Sequence, residues 1–152
     1  MKNKLAIIIS TIFYIGYSKF IPGTIGSLLA IPIGILILKI GGVNCLIISI
    51  FLLSLIAFLS IEIYIKDHQS KDPNEVIIDE FIGQLIVLIF TSFSFPAILI
   101  GFILFRFFDI LKIFPVSKAE KIKGSLGVLA DDIVAGLMAC LVILLIKKLG
   151  II

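Results

Sequence analysis

The chain has 152 residues, of which 61% are hydrophobic and 15% are charged, and its mean hydropathy is +1.29. Soluble chains carry about 25% charged residues, so we expect a single domain over residues 1–152 that lies mostly in lipid. The net charge of +3 is small and the basic residues are scattered, which argues against a nucleic acid as partner. Cys45 and Cys140 lie inside apolar runs and are expected to be small buried hydrophobic residues.

Apolar segments separated by glycine, proline and charged residues predict an all-helical, polytopic membrane protein with about four to five spans. Residues 5–17 are apolar but short for a span, so we expect a retained re-entrant or interfacial helix there. The later apolar segments cover approximately 26–40, 43–65, 77–93, 96–111 and 127–146. The uncharged turns at Gly41-Gly42 and Phe95-Pro96 predict two helical hairpins, one around each turn.

The basic residues predict the orientation of these spans. If the N-terminus is cytoplasmic, ten of the 13 Lys and Arg residues lie on or near the cytoplasmic side. This distribution obeys the positive-inside rule. Most acidic residues then lie in or beside three cytoplasmic connections, so we expect a site that faces the cytoplasm.

The first group of candidate site residues lies in the polar connection KDHQSKDPNEVIIDEFIG. Four carboxylates fall within 14 residues there: Asp67, Asp72, Asp79 and Glu80. Carboxylate oxygens are the ligands that hard divalent cations such as Mg²⁺ prefer. Solvated loop charges would equally explain Asp67 and Asp72, and a helix cap would explain Asp79. We favour function for Asp79-Glu80, because the pair precedes a membrane run and an unpaired carboxylate at mid-helix costs about 2.5–3.5 kcal/mol.

The second group lies in LFRFFDILKIFP, where Arg106, Asp109 and Lys112 recur every three residues along one helical face. One interpretation is a ladder that neutralises itself while its long cationic stems extend to the membrane interface. We prefer the interpretation in which Arg106 and Lys112 bind a phosphate and Asp109 binds a metal.

The third group lies in GVLADDIVAG, where Asp131-Asp132 precedes the last long apolar run. A double N-cap would gain under about 1 kcal/mol for each residue. One Asp would suffice for a cap, so the pair favours metal ligation. Gly136 would let a neighbouring helix come close.

The fourth group is the glycine-rich helix start in KFIPGTIGSLLAIP. Gly23, Thr24 and Ser27 offer backbone N–H groups and hydroxyls to an anion. Pro-Gly-Thr is also an ordinary helix start, but its predicted placement beside the carboxylates favours an anion site. His68 lies in a polar connection and is expected to be a surface residue.

Taken in order, the four blocks resemble the phosphatidylglycerophosphatase A family, over about residues 20–138. The resemblance implies a Mg²⁺-dependent phosphatase of the bacterial inner membrane that converts phosphatidylglycerophosphate to phosphatidylglycerol. It places the family's acidic residues on Asp67, Asp72, Asp79, Glu80, Asp109, Asp131 and Asp132, and its basic residues on Lys66, Arg106 and Lys112. Two departures, Ile113 in place of a usual Pro and Ser125 in place of a Gly, affect only loop shape.

The expected chemistry is metal-assisted hydrolysis of a phosphomonoester. The expected catalytic residues are Asp72, Asp79, Asp109, Asp131 and Asp132, and the expected metal ligands are Asp67, Asp79, Glu80, Asp109, Asp131 and Asp132. A water molecule and an Asp carboxylate both stay open as the nucleophile. The expected partners are the lipid substrate and membrane lipids, with the oligomeric state left open.

Two alternatives come from other classes of membrane protein. An ion transporter or channel would place polar residues near the middle of its spans, whereas the residues there are nearly all Ile, Leu, Val and Phe. A CDP-alcohol phosphotransferase would carry a D-G-x2-A-R block, which this sequence lacks.

Overall fold

The computed structural model describes residues 3–69, 73–91 and 93–151, and every regular element in these ranges is a helix. The α-helices are α1 (Lys4–Ser10), α2 (Pro22–His68), α3 (Ile78–Leu88), α4 (Phe95–Leu111), α5 (Val116–Ala119) and α6 (Ser125–Lys148). A 3₁₀ turn (Ile15–Tyr17) lies between α1 and α2. The all-helical prediction is confirmed for this part of the chain.

Within the described ranges, α2 and α6 are the two helices long and apolar enough to cross a membrane. Even if α2 is counted twice, because it folds into two halves at Gly42, this is fewer than the prediction of about four to five spans, which counted each apolar segment as a full helix. The segment 77–93 forms a helix only over 11 residues, about 17 Å, against a hydrocarbon core of about 30 Å. The 17 residues of α4 reach about 26 Å.

Helix α2 is broken at Gly42, whose backbone angles (φ 68°, ψ −167°) lie outside the helical region. A residue without a Cβ adopts such angles at low cost. Ile33, before the break, lines the same apolar pocket as Leu53 and Ile56 after it. In one straight helix, Ile33 and Leu53 would be about 30 Å apart, so the two halves lie side by side. The hairpin predicted around Gly41-Gly42 is therefore present.

Helix α3 lies at the centre of the bundle, and all of its residues except Glu80 are buried. It runs parallel to α6: a Cβ on Gly136 would lie 2.7 Å from the Gly83 carbonyl oxygen, and Cys140 Sγ is 3.5 Å from the Ile86 carbonyl oxygen. The close approach predicted at Gly136 is thus present, and it requires glycine there.

Two further contacts give the directions of the other helices. A Cβ on Gly83 would meet the Phe105 ring at 2.5 Å, and one on Gly101 would meet Val87 Cγ1 at 2.7 Å, so α4 runs antiparallel to α3. Gly26 lies against Ile77 and Gly34 against Leu88, so the first half of α2 is parallel to α3. The start of α2, the start of α3, the end of α4 and the Asp131-Asp132 turn of α6 consequently meet at one end of the bundle.

The N-terminal segment packs beside this end. Helix α1 has seven residues, too few to cross a membrane, and the Asn3 side chain accepts hydrogen bonds from its first N–H groups. The Ile77 N–H donates to the Ser10 carbonyl oxygen at 2.9 Å, which ties the segment to the residues before α3. The segment therefore packs against the residues before α3, beside the region where the helices meet.

The outer faces of α2 and α6 are apolar. Their large exposed side chains include Leu36, Phe51, Leu59, Leu141 and Leu145. An extensive exposed apolar surface is unfavourable in water. Together with the two long apolar helices, it indicates a membrane protein.

Candidate active site and metal centre

A pocket of about 410 Å³ opens where the four helices meet. Its polar lining residues are Thr24, Asn74, Asp79, Glu80, Arg106, Asp109, Lys112, Asp131 and Asp132. The backbone of Gly23 lines it as well, with apolar residues such as Val76 and Ile110. The structure thus brings residues from all four sequence blocks to one place.

Local helix geometry places the two acidic pairs. Asp79 and Glu80 lie in the first turn of α3, where the positive end of the helix dipole stabilises negative charge. Asp131 and Asp132 lie six and seven residues after Ser125, the first residue of α6. Capping acts on the N–H groups of the first turn, so the N-cap interpretation of this second pair is wrong.

Three carboxylates from the two parallel helices converge. Ligand oxygens of Asp79, Glu80 and Asp132 all lie within 4.8 Å of one another. Asp79 and Asp132 are buried, and Gly23 makes room for the Glu80 carboxylate, because a Cβ there would collide with it. Glu80 Oε2 and Asp132 Oδ1 are buried without a hydrogen-bond partner among the described residues. Buried unpaired carboxylate oxygens are costly, and a hard divalent cation would satisfy them. The set therefore fits a metal centre.

Arg106 lies between this cluster and α2. Its guanidinium pairs with Asp109, lies 4.0 Å from Glu80 and approaches the Ser27 hydroxyl at 3.5 Å. The Ser27 hydroxyl in turn donates to the Gly23 carbonyl oxygen at 2.9 Å. Ser27 thus positions Arg106 rather than lining the pocket itself.

Lys112 supplies the second positive charge. It follows the last residue of α4 in a left-handed conformation, and its Nζ donates to Asp131 Oδ2 at 3.0 Å and to Glu120 Oε1 at 2.7 Å. Burial disfavours its charge, but the hydrogen bonds to Glu120 and Asp131 outweigh this effect and raise the pKa of Lys112 above its ordinary value. Lys112 therefore stays cationic beside the pocket.

A comparison with known proteins shows the family of this chain. The family model described as Phosphatidylglycerophosphatase A matches residues 8–147. The chain belongs to the phosphatidylglycerophosphatase A family. This confirms the resemblance drawn from the four sequence blocks.

Three relatives of the family match most of the chain. The Phosphatidylglycerophosphatase A of Haemophilus influenzae is 37% identical over 128 residues, 83% of this chain and 78% of the relative. A Putative phosphatidylinositol-3-phosphatase of Bacteroides thetaiotaomicron is 34% identical over 145 residues, 91% of each chain. The Phosphatidylglycerophosphatase A of Escherichia coli is 30% identical over 131 residues, 82% of this chain and 73% of the relative. No solved structure matches the chain significantly.

Two of the family positions carried over from the sequence, Lys66 and Asp67, do not line the pocket. Asp67 is exposed and its Oδ2 accepts the backbone N–H of Asn3 at 2.7 Å. Lys66 is exposed and pairs with Glu62 at 3.0 Å. Asp72 lies outside the described residues. The roles assigned to all three remain predictions.

Three polar residues in or near the pocket were missed by the sequence reasoning. Asn74 lines the pocket without having been predicted as a site residue. Glu120 holds Lys112, and its only sequence signal was its place eight residues later in the same polar connection. Gln84 is fully buried one turn after Glu80, and neither atom of its amide has a partner among the described residues. An amide in an apolar run was the signal for Gln84.

His68, expected at the surface, is half-buried. Its ring stacks on Tyr64 with 4.0 Å between centroids, and its Nδ1 lies 3.0 Å from the Tyr64 carbonyl oxygen. It does not line the pocket.

Proposed function

We propose that this protein hydrolyses the terminal phosphomonoester of phosphatidylglycerophosphate, giving phosphatidylglycerol and phosphate for phospholipid biosynthesis. Family membership and the names of the Haemophilus and Escherichia relatives support this substrate. The observation that carries the proposal is the convergence of Asp79, Glu80 and Asp132 beside two cations in one pocket. A phosphomonoester dianion needs positive charge on several sides, which Arg106, Lys112 and a divalent cation held by the carboxylates would provide together.

The metal of the proposed site is Mg²⁺, held by Asp79, Glu80 and Asp132. All three offer oxygen ligands, which suits a hard cation that keeps some of its waters and takes substrate phosphate oxygens as well. When bound, it would add positive charge to the phosphoryl group and make a nearby water more acidic.

The protein's own residues then bind and orient the phosphate. Arg106 presents a planar donor group suited to two phosphate oxygens, and Lys112 adds a second point charge. Asp109 and Asp131 pair with these cations, and in this proposal they orient the two cationic side chains towards the phosphate. The first turn of α2, with Thr24 and the backbone of Gly23, faces the same pocket and can receive the leaving oxygen.

The proposed location is the bacterial inner membrane, with several passes and the pocket at the cytoplasmic surface. The first half of α2 provides 20 residues before Gly42, about 30 Å, and α6 provides 24 residues. The far end of the bundle carries Lys39, Lys147 and Lys148, and most other basic residues lie towards the pocket. By the positive-inside rule, this distribution supports a pocket at the cytoplasmic surface. Lipid tails would enter laterally from the bilayer.

A second candidate substrate is an inositol lipid with a phosphate on its ring. The relative from Bacteroides, named as a putative phosphatidylinositol-3-phosphatase, covers 91% of this chain. Both lipids carry a phosphomonoester on a headgroup that is itself joined through a phosphodiester, so one pocket chemistry serves either.

The test is phosphate release by purified protein from phosphatidylglycerophosphate and from phosphatidylinositol 3-phosphate. We expect faster release from the first lipid, dependence on Mg²⁺, and loss of at least about 100-fold in Asp79→Asn and Asp132→Asn. Glu62→Gln is the matched control, because it removes a carboxylate that pairs with Lys66 outside the pocket. Metal-independent release, or full activity in both Asn variants, would refute the proposed mechanism. Faster release from the inositol lipid would mean that this lipid is the preferred substrate, while the proposed site residues would stand.

A further inference from the structure

A second polar pocket of about 280 Å³ adjoins the candidate active site. It is lined by Gly16, Tyr17, Ser18, Lys19, Pro22, Asn74 and Glu75. Pro22 and Asn74 line both pockets, so the two share a wall. A ligand longer than a phosphate group can therefore occupy both.

The charges of this second pocket select a singly charged group. Lys19 has no salt-bridge partner within the described residues, so its ammonium group is available to a ligand. Glu75 adds one negative charge to the same lining, which disfavours a dianion there. The larger pocket would suit the dianion once a divalent cation offsets its carboxylates, because it also holds Arg106 and Lys112.

The rim beside Lys19 is apolar. The side chains of Phe20 and Ile21 are 79% and 68% exposed, and Tyr17 is also exposed. Aromatic and aliphatic side chains of this kind are typical of a membrane interface. The protein therefore presents, next to one another, exposed apolar side chains, the pocket of Lys19, the wall shared at Asn74 and the carboxylate cluster.

We propose that the Lys19 pocket binds the phosphodiester of the substrate's headgroup. The proposal rests on the function proposed above, because that lipid joins groups that match these adjoining features: acyl chains, a monoanionic phosphodiester, a glycerol and a dianionic phosphomonoester. The glycerol would cross the shared wall, where Asn74 offers hydrogen bonds to its hydroxyl. The subsite makes the protein selective for phosphomonoesters carried on a headgroup.

The test compares three kinetic constants in wild type and Lys19→Met, in mixed micelles of a neutral detergent. They are the KM for phosphatidylglycerophosphate, the inhibition constant of short-chain phosphatidylglycerol, and the inhibition constant of inorganic phosphate. Phosphatidylglycerol carries the phosphodiester without the phosphomonoester, whereas inorganic phosphate fits the larger pocket alone.

Loss of one charge-assisted contact should raise the first two constants about tenfold. The inhibition constant of inorganic phosphate and kcat should stay within about twofold, because the larger pocket keeps its contacts. Lys19→Arg should restore the wild-type values. Lys4→Met is the matched control, since Lys4 is an exposed lysine of the same segment that lines neither pocket.

Three outcomes would overturn the subsite. The constants could all change together, which would mean that Lys19 acts through the fold. None of the three constants could change, which would mean that Lys19 does not contact the ligand. Lys4→Met could also give the same effect as Lys19→Met, which would indicate general attraction to anionic lipid. In each case the wild-type turnover still reports on the proposed function separately. Absence of wild-type turnover would remove both proposals. Should Lys19→Met not fold, Lys19→Gln provides the same measurement.

Discussion

The contact between Gly83 and Gly136 should set the geometry of the metal centre. A Cβ added at Gly136 would lie 2.7 Å from the Gly83 carbonyl oxygen, while ordinary contact begins at 3.4 Å. Gly136→Ala therefore requires α3 and α6 to separate by about 0.7 Å at this point. Asp132 lies one turn before Gly136 and Asp79 one turn before Gly83, so the separation passes directly to the ligands.

The expected loss follows from the tolerance of the metal. Mg²⁺ requires ligands at about 2.0–2.1 Å in near-octahedral geometry, and designed or predicted sites are judged to within about 0.2 Å. Overpacking of this kind costs about 1–3 kcal/mol, which corresponds to roughly 5–150-fold in an equilibrium constant. We expect the Mg²⁺ concentration for half-maximal activity to rise at least about fivefold, with activity partly restored at high Mg²⁺.

The control is Gly101→Ala, which adds the same methyl group on α4. Its Cβ would meet the tips of Val87 and Ile143, at 2.7 and 3.0 Å, on the side of the bundle away from the carboxylates. It should lower thermal stability without changing the Mg²⁺ requirement. The assay is phosphate release across a Mg²⁺ titration, with the unfolding midpoint in detergent measured in parallel. If both variants kept the wild-type Mg²⁺ requirement, the α3–α6 contact would not control the metal geometry.

Three other measurements test the remaining assignments. Lys112→Met should raise KM by about 10–100-fold, because it removes one charge-assisted contact to the phosphate and leaves Asp131 unpaired. The control Glu120→Gln keeps the lysine and should change KM less than about threefold. Equal effects of the two variants on KM would refute the phosphate-binding role of Lys112. Mg²⁺ at 100 times its dissociation constant should stabilise the folded protein by about 2.7 kcal/mol, measured as a higher unfolding midpoint that EDTA reverses. Asp132→Asn should remove most of this increase in the midpoint. An unchanged increase in the variant would mean that the metal binds elsewhere. Asp67→Asn should keep activity within about twofold, because the amide oxygen can still accept the Asn3 N–H; a loss like that of Asp79→Asn would return Asp67 to the metal set.

The residues of the site were predictable because charged side chains are costly in lipid and therefore rare in this sequence. Each carboxylate at the start of an apolar run needed a reason. Nine predicted residues line the pocket: Gly23, Thr24, Asp79, Glu80, Arg106, Asp109, Lys112, Asp131 and Asp132. Their partners were less predictable. The pairing of Lys112 with Asp131 and Glu120 depends on the left-handed turn after α4, and no local pattern specifies such a turn in the sequence.

The span count failed for a related reason. Hydropathy indicates that a segment lies in lipid, but it does not indicate the backbone conformation. Residues 77–93 were therefore predicted to form a span, although the helix ends at Leu88. The break in α2 was predictable from Gly41-Gly42 because glycine tolerates φ 68°. The placement of Asp67 was not, since its contact with Asn3 joins residues 64 positions apart.

The position of the two glycines relative to the acids explains how a lipid-embedded fold can hold three carboxylates together. Asp79 and Asp132 each precede a glycine by four residues, Gly83 and Gly136, so acid and glycine share a helix face in both helices. The glycines let the two backbones touch, and the parallel direction of α3 and α6 then brings the acids level with one another. With antiparallel helices, the same close contact would carry the two acids to opposite sides of it. The parallel pairing is therefore the feature of the fold on which the metal centre depends, and Gly136→Ala is its most direct test.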